Sequence, residues 1–99
     1  MKWRLVIRPR AETDLRDASK WYESQRAGLG AEFLNEIESA IQALVHDPQR
    51  HAVYYRGFRR ILTRRFPYKL FYRLEGKRII VFRLLHAHRD HARLLRSEH

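Results

Sequence analysis

The eight residues 78–85, RIIVFRLL, constrain this chain more than any other stretch. A short apolar run rich in β-branched and aromatic side chains reads as a central strand buried on both faces. Only Arg83 interrupts the run from Val81 to Leu85. A guanidinium at such a position needs either a partner or an open groove. The run closes a longer stretch, residues 57–89, that reads as three strands joined by tight turns. Phe58–Thr63 is one strand. Tyr68 to Leu74 alternates with Lys69, Phe71 and Arg73 as the next. Glu75-Gly76 is a two-residue hairpin turn, with glycine supplying positive φ, and Lys77–Leu85 returns.

The first half reads differently. Trp3, Leu5 and Ile7 alternate with Lys2, Arg4, Val6 and Arg8, the period of a half-buried strand. Pro9 suits the first position of a helix. Glu12, Asp14 and Asp17 favour that helix's N-terminal end through the macrodipole, and Glu12 can pair with Arg16 across one turn. Ala11, Leu15, Ala18 and Tyr22 share one face, flanked by Trp21. The segment Ala27–Gly30, AGLG, is too short to cradle a phosphate and predicts a tight turn between two antiparallel helices. The second helix runs from about Ala31, with Phe33, Ile37, Ala40, Ile41 and Leu44 on its apolar face, until Asp47-Pro48 stops it. Residues 49–56 form a polar loop in which Tyr54 and Tyr55 lead into the next strand. Asp90 is placed to cap a short last helix carrying Leu94 and Leu95.

The predicted fold is α+β in the order β-α-α-β-β-β: a helical hairpin on one face of a small, mainly antiparallel sheet, then a short C-terminal helix. The sheet's second face is expected to be open, with polar residues outward. The strand 58–63 carries arginine on both sides, so its register stays undecided. Ninety-nine residues make a single domain, 1–99. No apolar leader and no run approaching ~20 apolar residues is visible, so neither a signal peptide nor a membrane span is expected. The absence of cysteine suits a reducing cytoplasm and removes thiolate chemistry.

Charge is divided unevenly. Lys and Arg number 21 against 11 acidic residues, net +10. Residues 1–49 carry seven basic and eight acidic side chains; residues 50–99 carry fourteen and three. A cationic half built mainly from arginine favours nucleic acid, the ribosome or an acidic protein partner over a merely solvated surface. Candidate site residues are Arg59, Arg60, Arg64, Arg65, Lys69, Arg83, His86, His88 and Arg89, with Tyr68, Phe71 and Tyr72 available to stack on bases. RNA cleavage would need a base, an acid and a cationic clamp. His86 or His88 titrates in the right range and Arg83 is the candidate clamp. The alternative for Arg83 is a structural pair with a carboxylate, Asp90 or a helix glutamate. His86, His88 and His91 lack the ligand set of a metal site, and no cofactor is expected.

These residues resemble a known pattern along nearly the whole chain: Ala11-Glu12-x-Asp14-Leu15, then Trp21-Tyr22-Glu23, Gly28-Leu29-Gly30-x-Glu32-Phe33-Leu34, Arg59-Arg60, Arg65-Phe66-Pro67-Tyr68-Lys69-Leu70-Phe71-Tyr72 and Leu85-His86-x-x-Arg89-Asp90. Taken in order, they resemble the RelE/ParE superfamily of bacterial type II toxin–antitoxin toxins. The resemblance implies the fold read above. It also implies a growth-inhibiting toxin, of the kind tied to plasmid stabilisation, neutralised by a cognate antitoxin. RelE-like members cut mRNA on the ribosome, and Arg59, Arg65, Arg83 and His86 occupy broadly similar places; a C-terminal tyrosine and a lysine cluster on the second strand are missing. ParE-like members inhibit DNA gyrase without known nuclease chemistry. The GLGxEF, FPY and LHxxRD pieces lean towards that branch. On that lean, Arg60, Arg64, Tyr68, Lys69 and Arg89 bind a target or the antitoxin. Dimers are expected at high concentration when the antitoxin is absent.

Overall fold

The computed structural model describes residues 2–89 and 91–96. The chain runs β1 (Arg4–Ile7), α1 (Pro9–Gln25), α2 (Leu29–His46), β2 (Val53–Tyr55), β3 (Phe58–Leu62), β4 (Tyr68–Glu75), β5 (Arg78–His86) and α3 (His91–Leu95). The strands form one sheet in the order β1-β5-β4-β3-β2. β1 pairs in parallel with β5, and the other neighbours are antiparallel. This is the expected α+β fold with one more strand. Tyr54 and Tyr55 belong to the separate strand β2, because Arg56 and Gly57 both adopt positive φ, 46° and 81°. Two consecutive left-handed residues make the tight reversal that matches strand twist. At the β4–β5 hairpin Glu75 pairs with Arg78, so the turn is Gly76-Lys77, one residue later than expected.

The helical hairpin lies on one face of the sheet. Ala11, Ala18, Phe33, Ile37 and Leu44 pack with Leu70, Tyr72, Ile79, Val81 and Leu84. Leu15, Tyr22 and Ile41 border this core, as their helical spacing predicts. Three main-chain and side-chain devices make the helix–helix turn. Gly28 sits at φ 88°. The Glu23 carboxylate accepts the N–H groups of Gly28 and Gly30, both at 3.0 Å from its nearer oxygen. A Cβ on Gly30 would stand 2.7 Å from the Ser19 backbone oxygen. Those two amide donors hold the Glu23 carboxyl below its ordinary pKa.

The second face is not open, contrary to the sequence expectation. Phe58, Phe71, Ile80, Phe82 and Leu85 pack there with Leu95 of α3, and Val6, Tyr55 and Leu94 border them. Residues 79–85 of β5 are buried throughout, so apolar side chains emerge on both faces and both need cover. A five-residue helix covers only part. Arginine stems supply more: Arg8 lies 4.8 Å from the Phe82 ring centre and Arg73 5.1 Å from that of Phe58. Asp90, expected to cap α3, lies outside the described residues.

A β-bulge explains how β5 accommodates its arginine. Phe71 pairs with Arg83, but Tyr72 pairs with Val81, so Phe82 is the extra residue. Strict alternation from Ile79 and Val81 would carry Arg83 into the hairpin core. The bulge shifts the pattern by one and puts Leu84 there instead.

Candidate functional site

β1 ends at Ile7, opposite Val81, so the edge of β5 beyond that point has no strand beside it. The first turns of α1 take its place. Asp14 Oδ2 accepts the main-chain N–H of Leu84 at 3.0 Å and Arg83 Nε at 2.7 Å, and Oδ1 accepts Arg83 Nη2 at 3.1 Å. The Arg83 side chain is 5% exposed and that of Asp14 14%. The carboxylate partner of Arg83 is therefore Asp14, rather than Asp90 or a helix glutamate. An aspartate read as a helix-start residue proves to be a tertiary one.

Beside this pair a hollow of about 230 Å³ opens between α1 and the ends of β4 and β5. Asp14, Asp17, Ala18 and Trp21 line it from α1, a spacing that puts them on one helix face. Tyr68 and His86, directly opposite in the β4–β5 register, line it from the sheet, and Arg89 follows from the turn. The Tyr68 and His86 rings meet edge to face, 5.4 Å between centres. Burial pushes the Tyr68 phenol up; Arg89 pulls it down and Asp14 pushes it up. A second hollow, lined by Trp21, Tyr22, Pro67, Tyr68 and His86, adjoins the first. Trp21 is 57% exposed over this junction.

Of the sequence candidates, this hollow gathers Tyr68, Arg83, His86 and Arg89. The others are dispersed. Arg59 Nη1 donates to the carbonyls of Gln49 and His51, holding the loop before β2. Arg60 stacks on Tyr54 at 3.8 Å. Arg65 pairs with Glu32 at 2.5 Å. Arg64 lines a groove between α2 and β3. Lys69 sits on β4 opposite Leu62 and Leu85. Phe71 and Tyr72 are buried on opposite faces, so neither is offered to a base. His88 lies past the end of β5, its N–H donating to His86 Nδ1 at 3.2 Å. His91 is buried, its Nε2 2.9 Å from the His86 carbonyl oxygen. Among the described residues no group of three His, Asp or Glu converges as metal ligands, and no helix is long and apolar enough to cross a membrane.

Chemically the hollow offers a half-exposed imidazole beside an exposed guanidinium, with two carboxylates and an indole opposite. Arg83 borders it, but its guanidinium is engaged by Asp14. Sequence reasoning missed Asp14, Asp17 and Trp21 as site residues. Their i, i+3, i+7 spacing was visible, yet it lies beside the apolar stripe and acquires meaning only when β5 ends against it.

A model of the family described as the ParE toxin of the type II toxin–antitoxin system parDE matches residues 5–91. No curated protein matches the chain by sequence. Among solved structures, the chromosomal ParDE toxin–antitoxin system from P. aeruginosa superposes with a TM-score of 0.78 at 19% identity, covering 86% of this chain and 96% of that one. The RelBE2 toxin–antitoxin complex from Mycobacterium tuberculosis gives 0.57 at 21% identity, covering 87% and 99%. With a family match that spans both helices and every strand from Leu5 onward, the chain belongs to the ParE toxin family of type II toxin–antitoxin systems.

Proposed function

We propose that this protein arrests growth by inhibiting DNA gyrase in the ParE manner and is neutralised by a cognate antitoxin. The observation that carries the reading is the ParE family match over residues 5–91. The closer superposition on the ParDE system than on RelBE2, 0.78 against 0.57, points the same way. The Arg83–Asp14 pair adds a physical reason. A guanidinium already held by a partly buried carboxylate is a poor clamp for a phosphorane, so the mixed-charge hollow suits recognition of a protein surface better than phosphoryl chemistry. In this reading the protein works in the cytoplasm without a cofactor, and Trp21, Tyr68, His86 and Arg89 contact the target. Dimers formed without antitoxin are a further expectation, read by light scattering.

The test is a supercoiling assay with purified gyrase. Dose-dependent loss of supercoiling supports the reading. A second reading, ribosome-dependent mRNA cleavage with Arg59, Arg65, Arg83 and His86 as the catalytic set, draws on His86 and Arg89 lying together at an open hollow. Normal supercoiling, with new ribosome-dependent 5′ ends on a defined message, would replace the first reading by the second.

A further inference from the structure

The second face of the sheet carries a row of arginines at the end away from the hollow. Side chains alternate along each strand, so Arg4 shares the side of Val6, Arg78 that of Ile80 and Arg73 that of Phe71. Arg4 and Arg78 are register partners, and Arg73 lies opposite Ile80, two residues along from Arg78. Arg56 follows at the tip of the β2–β3 turn, its guanidinium 5.4 Å from the Tyr55 ring centre. That turn meets Arg73, since a Cβ on Gly57 would stand 3.2 Å from Arg73 Nη2. Four guanidiniums thus span the sheet from β1 to the β2–β3 turn, while His86 lies at the opposite end of β5.

Little on this face neutralises the row. Among its described residues Glu75 is the one acid, and it meets Arg78 at 3.6 Å with both side chains half-exposed. Among the described residues no carboxylate pairs with Arg4, Arg56 or Arg73. The helix α3, HARLL, covers part of the face and brings no acid. The rings beneath are already covered. Phe58 and Phe82 are buried, with Arg73 5.1 and 6.0 Å from their ring centres and Arg8 4.8 Å from that of Phe82. Arg60 lies 3.8 Å over the exposed Tyr54 ring. A guanidinium stacked on a ring is held in place while its N–H edge can still meet an anion. The face therefore offers positioned positive charge and little open ring surface.

We propose that this row binds the phosphate backbone of duplex DNA, without reading its sequence, through Arg4, Arg56, Arg73 and Arg78. Three strand spacings make the row about 14 Å wide, and duplex DNA carries roughly eight phosphate charges over that length. Single-stranded nucleic acid is disfavoured, because its binding draws on bases stacking against aromatic rings, and the rings here lie under guanidiniums. An acidic protein is disfavoured as well. Such an interface needs an apolar centre, and Phe58, Phe71, Ile80 and Phe82 are already buried among themselves, Leu95 and the arginine stems. The proposal stands apart from the gyrase reading, since it concerns a different face and needs no particular target.

The probe is a fluorescein-labelled duplex DNA of twenty base pairs and mixed sequence, titrated with the full-length protein by anisotropy between 50 and 200 mM salt. The expected affinity falls on a log–log plot against salt with a slope of about −3 to −4, one phosphate for each arginine. A second, unrelated duplex should bind equally. The double variant Arg4→Gln, Arg78→Gln should weaken binding at least tenfold at 100 mM salt and reduce the slope by about 2. Both positions are exposed, so the variant keeps its core. A control, Arg10→Gln with Arg16→Gln, removes the same charge from exposed positions of α1 and should bind as the parent does. Equal losses in variant and control would mean attraction to overall charge and would overturn the proposal. So would no binding at 50 mM salt, tighter binding of a single strand or of duplex RNA, or displacement of the duplex by polyglutamate as readily as by unlabelled DNA. Gyrase takes no part in the measurement, so the outcome is independent of the toxin reading.

Discussion

Arg83 and Asp14 form a two-point ion pair across 69 residues of sequence, Nε to Oδ2 at 2.7 Å and Nη2 to Oδ1 at 3.1 Å. The same carboxylate oxygen that meets Nε also accepts the Leu84 N–H, so one side chain of α1 finishes both the arginine and the open edge of β5. Removing one member of a buried pair strands the other charge. Asp14→Ala is expected to cost about 3–5 kcal/mol, and Arg83→Met distinctly less, since methionine leaves no buried cation. The double variant should recover part of the Asp14→Ala loss. Urea unfolding midpoints of the three variants decide this; a double-variant loss equal to the sum of the two single losses would show that the pair is not acting as a unit.

The helix–helix turn depends on a contact distance. Gly30→Ala places a methyl 2.7 Å from the Ser19 backbone oxygen, which can yield only if the helices separate. A loss of about 1–3 kcal/mol is expected. Gly28 has open space around it and only a left-handed φ to satisfy, so Gly28→Asn should cost less. Thermal denaturation of the two variants compares them directly.

Glu23 gives the same turn a pH dependence. Its folded pKa is lowered by the Gly28 and Gly30 amides. The unfolded chain therefore takes up the proton first as pH falls, and the stabilisation present above the ordinary glutamate range disappears below it. Glu23→Gln should melt below the parent at pH 7, with the gap closing on acidification towards pH 3. A gap that stays constant would remove the charge from the explanation.

Tyr72 provides the alkaline counterpart. Its hydroxyl donates to the Pro48 carbonyl at 2.8 Å, tying β4 to the end of α2, and burial raises the phenol to about 12 from 10.0. A raised folded pKa contributes stability that is intact below pH 10 and lost as pH climbs towards 12. Tyr72→Phe is expected to cost about 1 kcal/mol at neutral pH and to flatten the loss above pH 10. Chemical denaturation at pH 7 and pH 11 tests both parts.

The proposed target contact separates from the fold. Trp21 and Arg89 are exposed, so Trp21→Ala and Arg89→Ala should each unfold within about 0.5 kcal/mol of the parent. Each should weaken inhibition of gyrase supercoiling at least tenfold. Unchanged inhibition by both would move the target surface elsewhere on the molecule.

Much of this architecture was legible along the chain because it is written in local periodicity and stop signals. The alternation of residues 2–8, the four-and-three stepping of Ala11, Leu15, Ala18 and Tyr22, the AGLG turn and the apolar run 78–85 each specify an element from near neighbours. What sequence left undecided depended on contacts between distant segments. The register of β3 is set by pairing with β4, which no pattern within FRRIL could choose. The second face closes because β5 projects apolar side chains both ways and α3 returns to meet them. Arginine is the plainest case. Arg59, Arg60, Arg64, Arg65 and Arg83 look alike in one dimension. Tertiary structure gives them different work: two loop carbonyls, a tyrosine ring, a groove wall, a glutamate and a partly buried aspartate. A long cation takes its role from whichever acceptor or ring the fold brings within reach, and that acceptor lies up to 69 residues away.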